Sequence, residues 1–245
     1  MKKLAIALAV VSIGTLFAGT TARQEAQRKA RESLIAKMGG LVAIPDKEPG
    51  VVFLNCQKTI PDSTFQNAQN TVRDEFHISC FLRSGTCKNI SEVIALAKDK
   101  TKAGAVIAIV DDDSTPKMLV APEDRAAIVN VRQLMTDKPT QDKLNRRAWL
   151  MAYRAFCVAM GAAWTTSDVG LMRRIDTLEE LDKVWGQATA PEAHFPICAM
   201  SKALKLSPGG FTPYRDACLD GWAPPPTNAV QKAIWEGVKS GKIKD

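Results

Sequence analysis

Histidine is almost missing from this chain. Only His77 and His194 occur, and they lie far apart. A serine or cysteine triad takes its base from histidine, so that chemistry has little to draw on. No Cys-x-x-Cys pair occurs, which argues against a zinc–thiolate site. No glycine-rich loop follows any strand-like run, so nucleotide phosphates lack their usual cradle. The formal net charge of +7 is a mild basic excess. It gathers in no Lys/Arg cluster with interleaved aromatics, so nucleic acid is not expected as a partner. No metal and no cofactor are expected either.

Long apolar runs are also absent, and the longest is informative. Lys2 and Lys3 precede an apolar stretch from Leu4 to Ala18, and small residues follow at Gly19, Thr20, Thr21 and Ala22. That stretch is shorter than the roughly 20 residues a spanning helix needs. The order of charged, apolar and small residues is that of a secretory signal peptide. Residues 1–22 are therefore read as a signal with cleavage after Ala22, and the mature chain as secreted or periplasmic with no stable membrane span.

Six cysteines remain: Cys56, Cys80, Cys87, Cys157, Cys198 and Cys218. An even number in an exported chain favours disulfides, although spacing does not fix their connectivity. Cys80 and Cys87 flank the turn-like stretch Arg83-Ser84-Gly85-Thr86 and are the first pair expected to join. Cys157 falls inside a helical stretch, where a bridge or simple burial fits better than a nucleophile without a base.

The chain divides by pattern. Ala26, Ala30, Leu34 and Met38 recur every four residues, predicting a short helix stopped at Gly39-Gly40 and followed by linker to residue 50. Strands are predicted at Val51–Leu54, Ile78–Leu82, Ala105–Val110, Lys117–Ala121 and Ala126–Val131. Helices are predicted from Asp62 or Ser63 to Phe76 and from a cap at Ser91. The turn residues near 113 and 123 suggest antiparallel pairing at both places. A long helix spans about Thr140 to Ala163, with Leu144, Ala148, Met151, Ala155, Val158 and Ala162 on one face. Asp176 with Glu179 resembles a capping box for a helix to about Trp185. A helix over Cys198–Leu206 and one capped by Asn228 complete the chain.

The fold class is mixed α/β (α+β), a partly parallel sheet packed by helices. The organisation expected is an N-terminal helix and linker over 23–50, an α/β domain over 51–190, and a helical extension over 191–245 packed on that domain. Trp222 and Trp235 flank the proline run in this extension and are expected to pack its tail.

The residues that could carry chemistry are few. Asp111-Asp112-Asp113 closes the strongest strand, where carboxylates can hold a divalent cation, although one acidic triple reads first as a solvated turn. His194, between Pro191 and Pro196, reads as exposed loop. Asp111, Asp112, Asp113 and His194 form the candidate set for a hydrolase with an unrecognised site. A disulfide-held structural envelope protein without a pocket is the other alternative.

Residues 105–172 resemble the archaemetzincin-like branch of the metzincin zinc proteases, in strand order and in the helix that follows. The family motif is HExxHxxGxxHCxxxxCxM. With Gly161 on the motif glycine, the motif methionine falls on Met172 without a gap. The histidine positions then carry Arg154, Val158 and Trp164, the general-base position carries Ala155, and the cysteine positions carry Thr165 and Gly170. Arg154 is permanently cationic and cannot ligate a metal, and Val158 and Trp164 offer zinc no suitable lone pair. Without a carboxylate at Ala155, no base activates water. The resemblance implies a metzincin-like scaffold without catalytic residues, whose cleft could take a peptide or protein. The tail from Tyr214 to Trp235 resembles that of uncharacterised exported bacterial proteins, which implies export and no activity.

Overall fold

The structure is a computed structural model that describes residues 22, 24–57, 59–98, 103–166, 170–184 and 189–244. The expected signal segment lies outside the described residues except at Ala22. Among the described residues, no helix is long and apolar enough to cross a membrane. The chain forms two compact units, one over residues 44–210 and a smaller one that joins the segments before Ile44 and after Gly210.

The larger unit is built on five strands: β2 (Val51–Asn55), β3 (Cys80–Ser84), β4 (Ala105–Val110), β5 (Met118–Ala121) and β6 (Ala126–Asn130). Their order is β3-β2-β4-β6-β5. The first four in that order are parallel neighbours, and β5 alone runs antiparallel, against β6. Residues of β2, β4 and β6 are buried throughout, as parallel strands covered on both faces must be. Alternate side chains divide between the faces. Val51, Phe53, Ile107, Ile109 and Val129 join the core under α2 (Asp62–Phe76) and α4 (Gln141–Ala159), whereas Val52, Leu54, Val106, Val110 and Ile128 face α3 (Ile90–Lys98).

Several local expectations shift. The turn near 113 does not pair β4 with β5, because β6 lies between them; only the turn near 123 joins antiparallel neighbours. Helix α3 is capped by Asn89, whose Oδ1 accepts from the Glu92 amide at 3.0 Å, two residues before Ser91. The capping box near 176 is Thr177 with Glu180, because Thr177 holds the extended backbone an N-cap needs. It opens α5 (Leu178–Asp182), which ends before Trp185, a residue outside those described. Helix α6 (Pro191–Ala203) begins well ahead of Cys198: Pro191 takes the first helical position, where its missing amide hydrogen costs nothing.

The smaller unit holds a helix over 24–37, labelled α1, then β1 (Leu41–Ala43), β7 (Phe211–Pro213), α7 (Tyr214–Leu219) and α8 (Ala229–Lys239). The antiparallel pairing of β1 with β7 falls where linker and loop were expected. Tyr214, Cys218 and Ile234 form its core, with Trp235 packed against them. Asn228 caps α8 as expected, through the Gln231 amide at 2.9 Å.

Candidate functional site

The expected acidic set does not assemble. Asp111 follows β4 at the carboxyl end of the sheet, where its carboxylate accepts from Arg132 Nε at 2.6 Å and from Thr59 at 3.0 Å. Asp113 pairs with the same arginine. Asp112 accepts from the Ser114 and Thr115 hydroxyls, and these bonds pull its carboxyl down to about 2. The triple is thus a turn closed on itself and on Arg132. His194 lies in helix α6 rather than in a loop. Its ring stacks on Phe76 with centroids 5.0 Å apart and its Nδ1 is 3.7 Å from Glu75. Because α2 returns from the carboxyl end of β2 to the start of β3, Glu75 and Phe76 stand at the other end of the sheet. Among the described residues, no group of three or more His, Cys, Asp or Glu side chains could hold a metal ion.

The cysteines also depart from expectation, since all six are free thiols. Strand β3 runs through Ser84, so no tight turn brings Cys80 back to Cys87. At about 3.3 Å per residue the strand alone separates its ends by roughly 13 Å, beyond a disulfide's reach. The two thiols also belong to opposite faces of the sheet. The neighbour of Cys87 is Cys56, just past the end of β2. The Cys87 amide donates to Cys56 Sγ at 3.2 Å. Burial and the Cys56 thiol beside it push the Cys87 thiol up to about 12.

A cleft does form between the edge of the sheet and helix α4. Thr140 opens the helix by accepting from the Lys143 amide. Gly161 ends it earlier than the sequence pattern suggested: Gly161 adopts φ +92°, its amide donates to the Val158 carbonyl at 3.0 Å, and Ala162 donates to Cys157 at 2.9 Å. This is a Schellman termination, which needs the left-handed conformation that glycine provides. The chain then passes Trp164 and Thr165 and returns through Leu171, Met172 and Arg173. The Thr165 amide donates to the Met172 carbonyl at 2.8 Å. Gly161 and Met172 therefore sit at two structural joints of the loop, the helix stop and the isolated bridge of Thr165 with Arg173.

Arg154 holds this loop to the helix. Its guanidinium donates to the carbonyl of Leu171, and to that of Arg173 at 2.9 Å. The Trp164 ring covers it at 4.7 Å, a cation–π contact. Thus Arg154 and Trp164, ten residues apart in sequence, meet in space. Val158 lies one turn along α4, partly buried against the core, and Ala155 points fully into that core. A cavity of about 350 Å³ opens beside Arg154, lined by Lys117 and Met118 at the start of β5, Met151, Trp164, Arg174 and Asp176. A second cavity of about 710 Å³ continues past Trp164 along Thr165, Arg173 and Glu180.

Arg154 is 3% exposed and faces no carboxylate among the described residues. Burial, with Arg173 nearby, draws its guanidinium down to about 10, so it stays protonated at neutral pH. Its Nε and the Thr165 hydroxyl are both buried without a hydrogen-bond partner. Burial of Arg154 was not legible in the sequence, because the apolar face read for the helix did not include it.

No protein-family profile and no curated protein matches the chain. Solved structures do. Archaemetzincin from Methanopyrus kandleri aligns with a TM-score of 0.52 at 12% identity, over 65% of this chain and 99% of that one. A zinc-dependent peptidase from Methanocorpusculum labreanum aligns at 0.49 and 9% identity, over 60% of this chain and 100% of that one. Archaemetzincin from Archaeoglobus fulgidus aligns at 0.44 and 12% identity, over 60% and 99%. At these identities the likeness is one of fold, and the first of them matches the mostly parallel five-stranded sheet packed by helices.

Proposed function

We propose that this chain is an exported, non-catalytic protein on a metzincin-like scaffold that binds an extended peptide in the cleft between β5 and α4. The observation that carries it is the contact of Arg154 with Trp164 in the wall of that cleft. On the family motif both stand at histidine positions, with Val158 at the third and Ala155 at the general base. Zinc does not fit such a set. A guanidinium has no free lone pair, an indole offers only a donor, valine offers nothing, and alanine at the general-base position has no carboxylate to activate water.

Peptide binding draws support from the sheet edge. Strand β5 pairs only with β6 among the described strands, so its other edge can take a further strand. Backbone bonds along such an edge give affinity, and pockets beside it give specificity. Export is the remaining part of the reading and rests on residues 1–22.

The test uses mature chain secreted from a bacterial host. N-terminal sequencing should begin at residue 23. Elemental analysis should find far less than one zinc per chain, and added zinc should not induce hydrolysis of a fluorogenic peptide library. Stoichiometric zinc with peptide cleavage would overturn the non-catalytic reading, and an unprocessed cytoplasmic chain would overturn export.

A further inference from the structure

The cleft contains a buried charge that no carboxylate among the described residues balances. A guanidinium has five N–H donors, and Arg154 spends them on two backbone carbonyls, leaving Nε buried without an acceptor. The same helix shows how this chain satisfies a buried arginine when no ligand is involved. Arg147 is 1% exposed and donates to both oxygens of Asp137, both oxygens of Asp182 and the Leu134 carbonyl. A buried charge without its counter-charge is costly, and among the described residues no carboxylate relieves it at Arg154.

The lining of the cavity leans the same way. Among its described lining residues, Lys117, Arg154 and Arg174 stand against one acidic side chain, that of Asp176. In the adjoining cavity the Glu180 carboxylate is occupied in the capping box by the Asp176 and Thr177 amides. Lys117 Nζ donates to the Asp176 backbone carbonyl at 3.0 Å, which places a second cation at the rim.

Resting on the peptide-binding reading above, we infer that Arg154 anchors a carboxylate of the bound peptide. The carboxylate takes Nε–H, paired with the neighbouring Nη–H, in a charge-assisted bond. Trp164 covers the guanidinium, and Lys117 draws the anion in. The carboxylate comes from an acidic side chain or from the peptide's own C-terminus, and both present the same two oxygens.

Three acetylated pentapeptides separate these sources by calorimetry: Ala-Leu-Glu-Leu-Ala as the amide, Ala-Leu-Gln-Leu-Ala as the amide, and Ala-Leu-Gln-Leu-Ala as the free acid. At least one charged peptide should bind about ten-fold more tightly than the neutral amide, with a change in Trp164 fluorescence that Trp164→Phe removes. Arg154→Met should erase the preference, and Arg154→Lys should keep part of it. Equal binding of all three peptides by the unaltered protein would overturn the carboxylate anchor and leave the peptide cleft standing. A full preference in folded Arg154→Met protein would overturn it in favour of another cation. No binding of any peptide at millimolar concentration would remove the anchor and the peptide-binding reading together.

Discussion

Arg147 and Arg154 lie two turns apart on one helix, both buried, and among the described residues only the first has carboxylates. Arg147 bridges Asp137 and Asp182 with bonds of 2.6 to 2.8 Å, tying α4 to α5 and to the loop before it. Arg154 grips backbone carbonyls alone. Arg147→Met removes hydrogen bonds from two carboxylates that are 43% and 20% exposed and that keep Lys143, so the charges left behind are partly screened, whereas replacing an uncompensated charge by an apolar side chain can be neutral. Arg147→Met should therefore lower stability by about 2 kcal/mol, and Arg154→Met by about 1 kcal/mol or less. Urea midpoints at constant slope check both values.

The same cluster sets a response to acid. The Arg147 hydrogen bonds hold the Asp137 and Asp182 carboxyls below their ordinary range, and Lys143 adds to the effect at both. Carboxylates depressed in the folded state contribute stability that is complete above the unfolded value of about 4 and is lost as pH falls toward their folded values. Stability should hold from neutral pH down to about 5 and then fall steeply. Denaturation midpoints measured from pH 7 to pH 2.5 should show this slope, and Asp182→Asn should flatten it. An unchanged slope in that variant would place the acid sensitivity elsewhere.

The sheet and its helices were legible because their apolar runs obey simple periods. Val51–Leu54, Ala105–Val110 and Ala126–Val131 are continuous apolar runs, and such runs become parallel strands buried on both sides. The cap at Asn228 was legible from its side chain. Of the cleft, the sequence pattern singled out Arg154 and Trp164 but did not show that they meet. That Arg154 turns inward was not legible, since periodicity assigns arginine to water, and only the carbonyls of Leu171 and Arg173, remote in sequence, draw it in. The β1–β7 pair escaped for a similar reason: two three-residue strands carry no period, and their partners are far apart in the chain.

Cys56 and Cys87 are the two thiols that the described fold places side by side. Two-electron oxidation by a small disulfide such as oxidised glutathione would join their sulfurs. The two electrons and two protons would pass to the oxidant, which leaves as two thiols. Cys80 and Cys157 are fully buried, and burial pushes both thiols far above their usual range. Oxidised protein should lose two titratable thiols, with mass spectrometry of the digest joining the peptides that hold Cys56 and Cys87. Cys56→Ser should abolish the loss. Because a thiolate is the attacking species and Cys87 is raised to about 12, the rate should climb from pH 7 to pH 9. A bridge through Cys80 instead would contradict the sheet geometry.

Gly161 makes a sharper test of local geometry. Its φ of +92° lies where side chains other than glycine are strained. A β-carbon built there would meet only the Met200 Cε, at an ordinary 3.9 Å. Space is therefore not the constraint, and conformation is. Gly161→Ala should cost about 1 kcal/mol, whereas Gly161→Asn should cost less, since asparagine tolerates the left-handed region best among the remaining residues. Equal losses for the two variants would point to packing instead. A loss confined to stability, with the affinity for the acidic pentapeptide unchanged, is the expected result, because Gly161 ends α4 while Arg154 and Trp164 line the cavity. Loss of affinity at full stability would mean that the helix stop positions Trp164 over the guanidinium and so belongs to the binding site itself.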